Sequence, residues 1–177
     1  YEDTGAIIAA MTTSIPEAPG SSRNWDYRYC WLRDAFFVVR ALNSLSEVAT
    51  MEDYLRWMSN VVIDSQGGHI QPLFGIGLEK SLPESFVDNL PGYRGMGPVR
   101  VGNQAQEHFQ HDVYGNVILG AAQAFHDHRL LHRAGAREFR ALERVGEQAV
   151  RVFDQPDAGM WELRTRARIH TSSAIMS

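Results

Sequence analysis

Residues 24–34 read Asn-Trp-Asp-Tyr-Arg-Tyr-Cys-Trp-Leu-Arg-Asp, and an apolar run that predicts a helix follows directly after them. These eleven residues hold four aromatic side chains, two arginines and two aspartates. The start of an ordinary helix needs a capping residue and a hydrophobic staple rather than this mixture. Aromatic faces stack on C–H surfaces, while Arg and Asp together hydrogen-bond to neighbouring hydroxyl groups. The stretch therefore predicts a pocket for a ligand that is rich in hydroxyl groups.

Apolar residues at three- and four-residue spacing predict helices beyond this stretch. The predicted helices cover residues 34–45, 48–63, 109–127 and 137–153, and a fifth begins near residue 172. The first has apolar residues on nearly every face, so we expect it to be buried on most sides. The short connection between the first two predicts a helical hairpin of antiparallel neighbours. Helix pairs separated by long loops are the pattern of an α/α toroid, so the predicted fold class is all-α.

Residues 65–103 differ in character, because glycines and prolines interrupt any regular period. A loop of this length is unusual in a compact domain unless it is functional. Within it, residues 68–75 are expected to form a short strand or hairpin. The glycine-rich run at 90–103 lacks the lysine and the strand-to-helix context of a phosphate-binding loop, which favours a structural loop.

The composition argues against several classes of protein. With 177 residues, 44% of them hydrophobic and 21% charged, the chain is long enough for one globular domain with a sizeable core. The net charge of −4 and the lack of a basic run argue against nucleic-acid binding. No apolar stretch approaches the ~20 residues of a membrane span, so no membrane partner is expected. Cys30 is the only cysteine, and His128 and His132 lack the pattern of a metal site, so no metal is expected.

At two places in the chain, charged side chains are next to aromatic residues in the sequence. Arg33 and Asp34 are either a surface pair at a helix start or a partly desolvated pair that a sugar ring would satisfy. Glu162 lies beside Trp161, after a turn that closes a helix. It is either a half-exposed glutamate or a general acid, because a carboxyl group packed against an indole suits proton donation near neutral pH. The residues alone leave these alternatives open.

Both places resemble the signature of glycoside hydrolase family 15, which contains glucoamylases, glucodextranases and some trehalases. One is the Trp-x-Arg-Asp segment that ends at Asp34, and the other is the Gly-x-Trp-Glu segment that ends at Glu162. The resemblance implies that Arg33 and Asp34 bind hydroxyl groups of the glucose at the non-reducing end, with Trp31 lining the pocket. It also implies that Glu162 is the general acid that protonates the departing glycosidic oxygen.

The resemblance adds further candidates for sugar contact. Trp161 precedes the implied general acid and is expected beside the substrate. Tyr93 and Arg94 belong to a Leu-Pro-Gly-Tyr run that in the family crosses the mouth of the barrel, which implies secondary contacts. Asp112 belongs to a Gln-His-Asp-Val-Tyr-Gly run at a helix start, where it either caps the helix or contacts the sugar.

The resemblance covers all 177 residues and implies about half of an (α/α)6 toroid with long loops. Residues 1–177 would be the N-terminal half of a single catalytic domain, with no second domain, and the general base would be a second glutamate beyond Ser177. The implied protein is an inverting, exo-acting, glucoamylase-like glycosidase that releases glucose from α-linked glucosides and needs no cofactor. The alternatives are a trehalase of the same family and a non-catalytic sugar-binding module.

Three expectations follow for the chain as a molecule. Its partner is an α-glucoside or trehalose, and its location is the bacterial cytoplasm. Residues 1–177 by themselves are expected to be inactive, because the general base is missing. They are also expected to self-associate, because half a toroid leaves apolar helix faces without neighbours.

Overall fold

A computed structural model describes all 177 residues, Tyr1–Ser177, and five α-helices dominate it. The helices are α1 (Leu32–Ser44), α2 (Ala49–Ser65), α3 (Asp112–His126), α4 (Ala136–Val152) and α5 (Thr171–Met176). Each begins within three residues of the position that the apolar periodicity predicts. None of them is both long enough and apolar enough to cross a membrane.

Helix α3 is central to the packing, because it contacts each of the other four helices. Helices α1 and α5 both pack on α3, and α2 packs on α4 as well as on α3. The apolar faces form one core of 22 buried residues, in which Trp57, Tyr54, Tyr114 and Met51 are among the largest fully buried side chains. This arrangement fits part of a helical family 15 domain. Five helices do not close a ring, so the toroid itself stays a prediction.

The burial of α1 differs from the expectation of a helix covered on most sides. Leu32, Ala35, Phe36 and Val39 are buried, but 59% of Phe37 is exposed. The physical reason is that α1 has neighbours on one side only, in α2, α3 and a short strand. The prediction of burial on most sides was therefore wrong, and α1 carries apolar side chains into solvent.

Two small antiparallel sheets accompany the helices, and one of them contains the short strand expected within residues 68–75. Strand β1 (Cys30–Trp31) pairs with β2 (Leu73–Phe74), and β3 (Ser85–Phe86) pairs with β4 (Arg100–Val101). Residues 68–75 therefore do not form a hairpin of their own, because their strand pairs with a segment about forty residues earlier in the chain. The first pair ends where α1 begins, so it fixes the position of Trp31.

Part of the 24–34 stretch is structural. The buried carboxylate of Asp26 accepts two hydrogen bonds of 2.8 Å from the guanidinium of Arg28 and one of 3.2 Å from the backbone N–H of Gly102. Asn103 donates to the backbone carbonyl of Asp26 at 3.1 Å, and the Gly102 N–H also reaches the Tyr29 hydroxyl at 3.1 Å. These hydrogen bonds join the stretch to the 100–103 loop, so the buried carboxylate of Asp26 is not available to a ligand.

Candidate active site

An open cavity of about 570 Å³ lies at the N-terminal end of α1. Residues 17–34, Asn103 and residues 160–166 provide most of its lining. Trp31, Arg33, Asp34, Trp161 and Glu162 are among the lining residues, so segments about 130 residues apart in sequence meet in one concave site. The volume lies within the range of small-molecule sites, roughly 300–1,000 Å³.

Trp31 and Glu162 are in direct contact at the wall of this cavity. The indole Nε1 of Trp31 donates a hydrogen bond of 2.6 Å to Oε1 of Glu162. Because an indole N–H can only donate, Oε1 of Glu162 is the acceptor of this hydrogen bond. Trp31 is 3% exposed, and strand β1 holds its backbone, so one carboxyl oxygen of Glu162 is held in a defined place.

Arg33 connects the first turn of α1 to the segment around Glu162. Its Nη1 donates to Oε1 of Gln110 at 3.2 Å and to the carbonyl oxygen of Met160 at 3.4 Å. Its Nη2 donates to Oδ2 of Asp34 at 3.2 Å and lies 3.7 Å from Oε1 of Glu162. About a fifth of the Arg33 side chain is exposed, so the guanidinium is held by the protein and still borders the cavity.

Glu162 lies on the segment 157–168, which we call the Glu162 loop. Its ends are joined by two backbone hydrogen bonds between Asp157 and Arg168, of 2.9 and 3.0 Å. Gly159 and Glu162 both have left-handed backbone conformations, with φ of 66° and 52°. A residue other than glycine pays roughly 1–2 kcal/mol for that conformation. The contacts of the loop must therefore hold Glu162 in a conformation that it would not adopt by itself.

The other predicted residues divide into two groups. Asp34 and Trp161 line the cavity, and both are accessible, with 77% of Trp161 exposed. Tyr93 and Arg94 do not line it; the Arg94 guanidinium instead lies over the Tyr93 ring at 5.3 Å, in a turn that bridges Tyr93 to Met96. A sugar contact from these two residues stays a prediction.

Asp112 lies behind the cavity rather than on its wall. It is the first residue of α3 and is 5% exposed, and its Oδ2 accepts a hydrogen bond of 3.3 Å from Asn116. Burial raises the pKa of its carboxyl group, while the nearby charge of Arg33 opposes that rise. Asp112 therefore feels the charge of Arg33 without a hydrogen bond or ion pair to it, and a direct sugar contact stays a prediction.

Eleven of the sixteen lining residues were not among the sequence candidates, and four of these eleven precede Trp31 with polar or aromatic side chains: Glu17, Arg23, Trp25 and Tyr27. Glu17 accepts hydrogen bonds from Arg23 at 2.7 Å and from the Trp25 indole at 2.8 Å. Residues 16–22 form a turn-rich break without periodicity, so nothing in the pattern marks Glu17. Trp25 and Tyr27 lie within the aromatic cluster, and their alternation with Asp26 is the signal that marks them.

Carboxyl groups set the electrostatic character of the cavity. Burial raises the pKa of the Tyr27 hydroxyl, and the negative charges of Glu17, Glu162 and Asp34 raise it further. Tyr27 therefore stays a neutral hydrogen-bonding group among acidic side chains. A carboxyl group held in this way beside a cavity can give a proton to a ligand atom or take one from it. The side chains do not form a group of three or more His, Cys, Asp or Glu residues that could hold a metal ion.

The chain belongs to the glycoside hydrolases, because the family model for glycosyl hydrolases family 15 matches residues 1–177. The chain is thus a member of glycosyl hydrolases family 15. It is 36% identical over 184 residues to a trehalase of Mycobacterium tuberculosis and 37% identical over 184 residues to a trehalase of Mycolicibacterium smegmatis. It is also 34% identical over 181 residues to a trehalase of Thermoplasma volcanium.

These alignments cover 99–100% of the chain but only 26–27% of the three relatives. The chain therefore spans about a quarter of the length of these curated proteins. No solved structure gives a significant match to it.

Proposed function

We propose that this chain supplies the sugar-binding wall and the general acid of an inverting glycosidase that cleaves trehalose. The observation that carries the proposal is the contact of 2.6 Å between Trp31 and Glu162, with Arg33 at 3.7 Å from the same carboxyl oxygen. It brings the hydroxyl-binding motif and the acid motif to one cavity. In this proposal the helices belong to the first part of a single (α/α)6 catalytic domain.

In the proposed reaction, Arg33 and Asp34 hold hydroxyl groups of one glucose ring. Water attacks the anomeric carbon of that ring from the face opposite the glycosidic oxygen, and the carbon–oxygen bond breaks. Glu162 gives its proton to the departing oxygen, and a second carboxylate takes a proton from the water. An inverting pair of carboxyl groups stands about 6.5–9.5 Å apart. That second carboxylate is supplied outside these 177 residues, so we expect residues 1–177 alone to release no glucose.

The choice of trehalose replaces the glucoamylase-like substrate that the sequence favoured. The resemblance by itself left α-glucans and trehalose as alternatives, whereas the curated relatives are named trehalase. The volume of the cavity, about 570 Å³, is also large enough for a small oligosaccharide rather than a single atom or ion. Trehalose is therefore the substrate that the relatives support, and the site chemistry is the same for either.

The test measures glucose release by the full-length protein from trehalose, maltose and isomaltose. We expect trehalose to give the highest kcat/KM. Inversion at one carbon of trehalose releases one β-glucose and one α-glucose, so proton NMR at early times should show equal amounts of the two anomers. Two α-glucose molecules would contradict inversion. Binding of trehalose without any glucose release would instead identify the non-catalytic sugar-binding module.

A further inference from the structure

Arg164 lies two residues after Glu162 and is held on three sides. Its guanidinium centre stands 3.9 Å from the Trp25 ring centroid. Its Nη2 pairs with Oε2 of Glu84 at 2.7 Å, and its Nη1 donates to Oε1 of Gln104 at 3.0 Å. A guanidinium that is both stacked and paired has a fixed position, because its planar fork satisfies both contacts at once. The chain immediately after Glu162 is therefore tied to two other parts of the protein.

Glu84 is the centre of this arrangement and comes from the long glycine- and proline-rich segment. Its Oε1 pairs with Nη1 of Arg100 at 2.5 Å, so it joins two arginines. Arg100 lies over the Trp25 ring at 4.8 Å, so both arginines contact the same indole. Glu84 and Arg100 have only 13% of their side chains exposed. Ion pairs of this kind are less screened by solvent than surface pairs.

The other end of the Glu162 loop is held by Asp157. Its buried carboxylate accepts hydrogen bonds from the backbone N–H of His111 at 2.8 Å, from Ser173 Oγ at 2.7 Å and from the backbone N–H of Gly159 at 3.1 Å. This anchor ties the loop to the starts of α3 and α5. Glu162 thus lies between two anchored points, Asp157 and Arg164, in a left-handed conformation that needs support.

We propose that Arg164, clamped by Glu84 and Trp25, is a positioning residue that sets the Glu162 carboxyl group against Trp31. This inference rests on the proposed function only for its kinetic consequence. Arg164 also borders the cavity, but its Nη1 and Nη2 are already used by Gln104 and Glu84, so we assign it a positioning role rather than a sugar contact. The segment around Glu84 therefore acts on the chemistry through Arg164.

The first test measures kinetics of the full-length protein with Arg164→Gln, Arg164→Lys and Glu84→Gln. A displacement of about 1 Å can cost ~10²-fold in rate. We expect Arg164→Gln and Glu84→Gln to lower kcat on trehalose by about 10- to 100-fold while KM changes little. On α-glucosyl fluoride, whose leaving group needs no proton, the loss should stay within about threefold. Arg164→Lys keeps the charge but not the fork, so its loss should be smaller.

The matched control is Arg168→Gln, which removes an exposed arginine of the same loop whose side chain has no hydrogen-bond partner. It should leave kcat on both substrates unchanged. In the double variant Glu84→Gln with Arg164→Gln, kcat on trehalose should fall no further than in Arg164→Gln alone, because both substitutions remove the same ion pair. Equal losses on the two substrates, or a rise in KM without a fall in kcat, would overturn the positioning role.

The second test does not depend on activity. In a ¹H–¹⁵N spectrum of the full-length protein each tryptophan gives one indole N–H signal, and Trp31→Phe identifies the signal of Trp31. In Arg164→Gln this signal should move towards its position in Glu162→Ala, while Arg168→Gln leaves it in place. An unmoved signal in Arg164→Gln overturns the inference even if the full-length protein cleaves trehalose. A moved signal in a protein that cleaves no glucoside supports the inference and rejects the proposed function.

Discussion

The Trp31 indole and the Glu162 carboxyl group, 131 residues apart in the sequence, share a hydrogen bond of 2.6 Å. The donor is almost fully buried and fixed by strand β1, whereas the acceptor lies on a loop with a strained backbone. A typical hydrogen bond within a protein contributes roughly 0.5–1.5 kcal/mol to stability. That is comparable with the cost of the left-handed conformation of Glu162, so this contact offsets much of the strain.

Glu162→Gln tests the role of the general acid in the full-length protein. An amide cannot give up a proton to the leaving oxygen, so kcat on trehalose should fall by ~10²-fold or more. The loss should be far smaller on α-glucosyl fluoride, because fluoride leaves without protonation. Steady-state kinetics on the two substrates measure the contrast. Equal losses would mean that Glu162 binds or supports the site and donates no proton.

Trp31→Phe tests the hydrogen bond itself, because phenylalanine keeps an aromatic ring and removes the donor. We expect kcat on trehalose to fall by about tenfold or more, because a displacement of about 1 Å of a catalytic group can cost ~10²-fold in rate. Trp57→Phe is the matched control, since its indole donates to the carbonyl oxygen of Ile76 at 3.1 Å, within the main core. That control should lower the melting temperature and leave kcat unchanged. A comparable fall in kcat in both variants would trace the loss to packing.

The sequence predicted the helices well because their signals are local. The buried positions of α2, such as Met51, Leu55 and Met58, follow the three- and four-residue spacing of one helix face. Such a period depends on neighbouring residues only. Periodicity could not reveal that α1 lacks neighbours on the side of Phe37, because exposure depends on what packs there.

The sequence predicted the site less completely because its contacts are not local. No spacing rule pairs Cys30 with Phe74 across β1 and β2, or Glu84 with Arg164. The aromatic cluster did indicate the candidate site. Composition could not show which of its charged residues bond to the protein and which border the cavity. Asp26 bonds to the protein and Asp34 borders the cavity, although both stand in the same eleven-residue stretch.

Gly159→Ala tests the geometry of the Glu162 loop. A Cβ at this position would stand 2.8 Å from the ring of His170, in a backbone with φ of 66°. We expect the free energy of unfolding to fall by roughly 2–5 kcal/mol, the sum of left-handed strain and a clash. Gly20→Ala is the matched control, because its φ is 74° and nothing lies within 4 Å of a Cβ there. Its free energy of unfolding should fall only by the cost of the left-handed strain, about 1–2 kcal/mol. Equal losses in urea titrations would exclude the clash.

Asp112→Asn tests how burial affects stability. Burial raises the pKa of Asp112 in the folded chain, so the folded state binds more protons than the unfolded state between the two pKa values. Its contribution to stability is therefore present at low pH and is lost as the pH rises through the folded pKa. The amide does not titrate. The melting temperature of the variant minus that of the wild type should therefore be larger at pH 7 than at pH 3.5. A difference in melting temperature that is the same at both pH values would contradict the raised pKa.

The exposed apolar side chains on α1 and α3 predict that the 177-residue chain associates with itself. Phe37 is 59% exposed and Leu119 is 54% exposed, and exposed apolar surface favours association. We expect light scattering at micromolar concentration to give a mass above the 19.9 kDa of one chain. The double variant Phe37→Ser with Leu119→Ser should lower that mass towards one chain. Leu131→Ser changes a leucine that is 86% exposed outside the helices, so it should not. An equal decrease with Leu131→Ser would mean that general hydrophobicity, and not the α1 and α3 surface, drives the association.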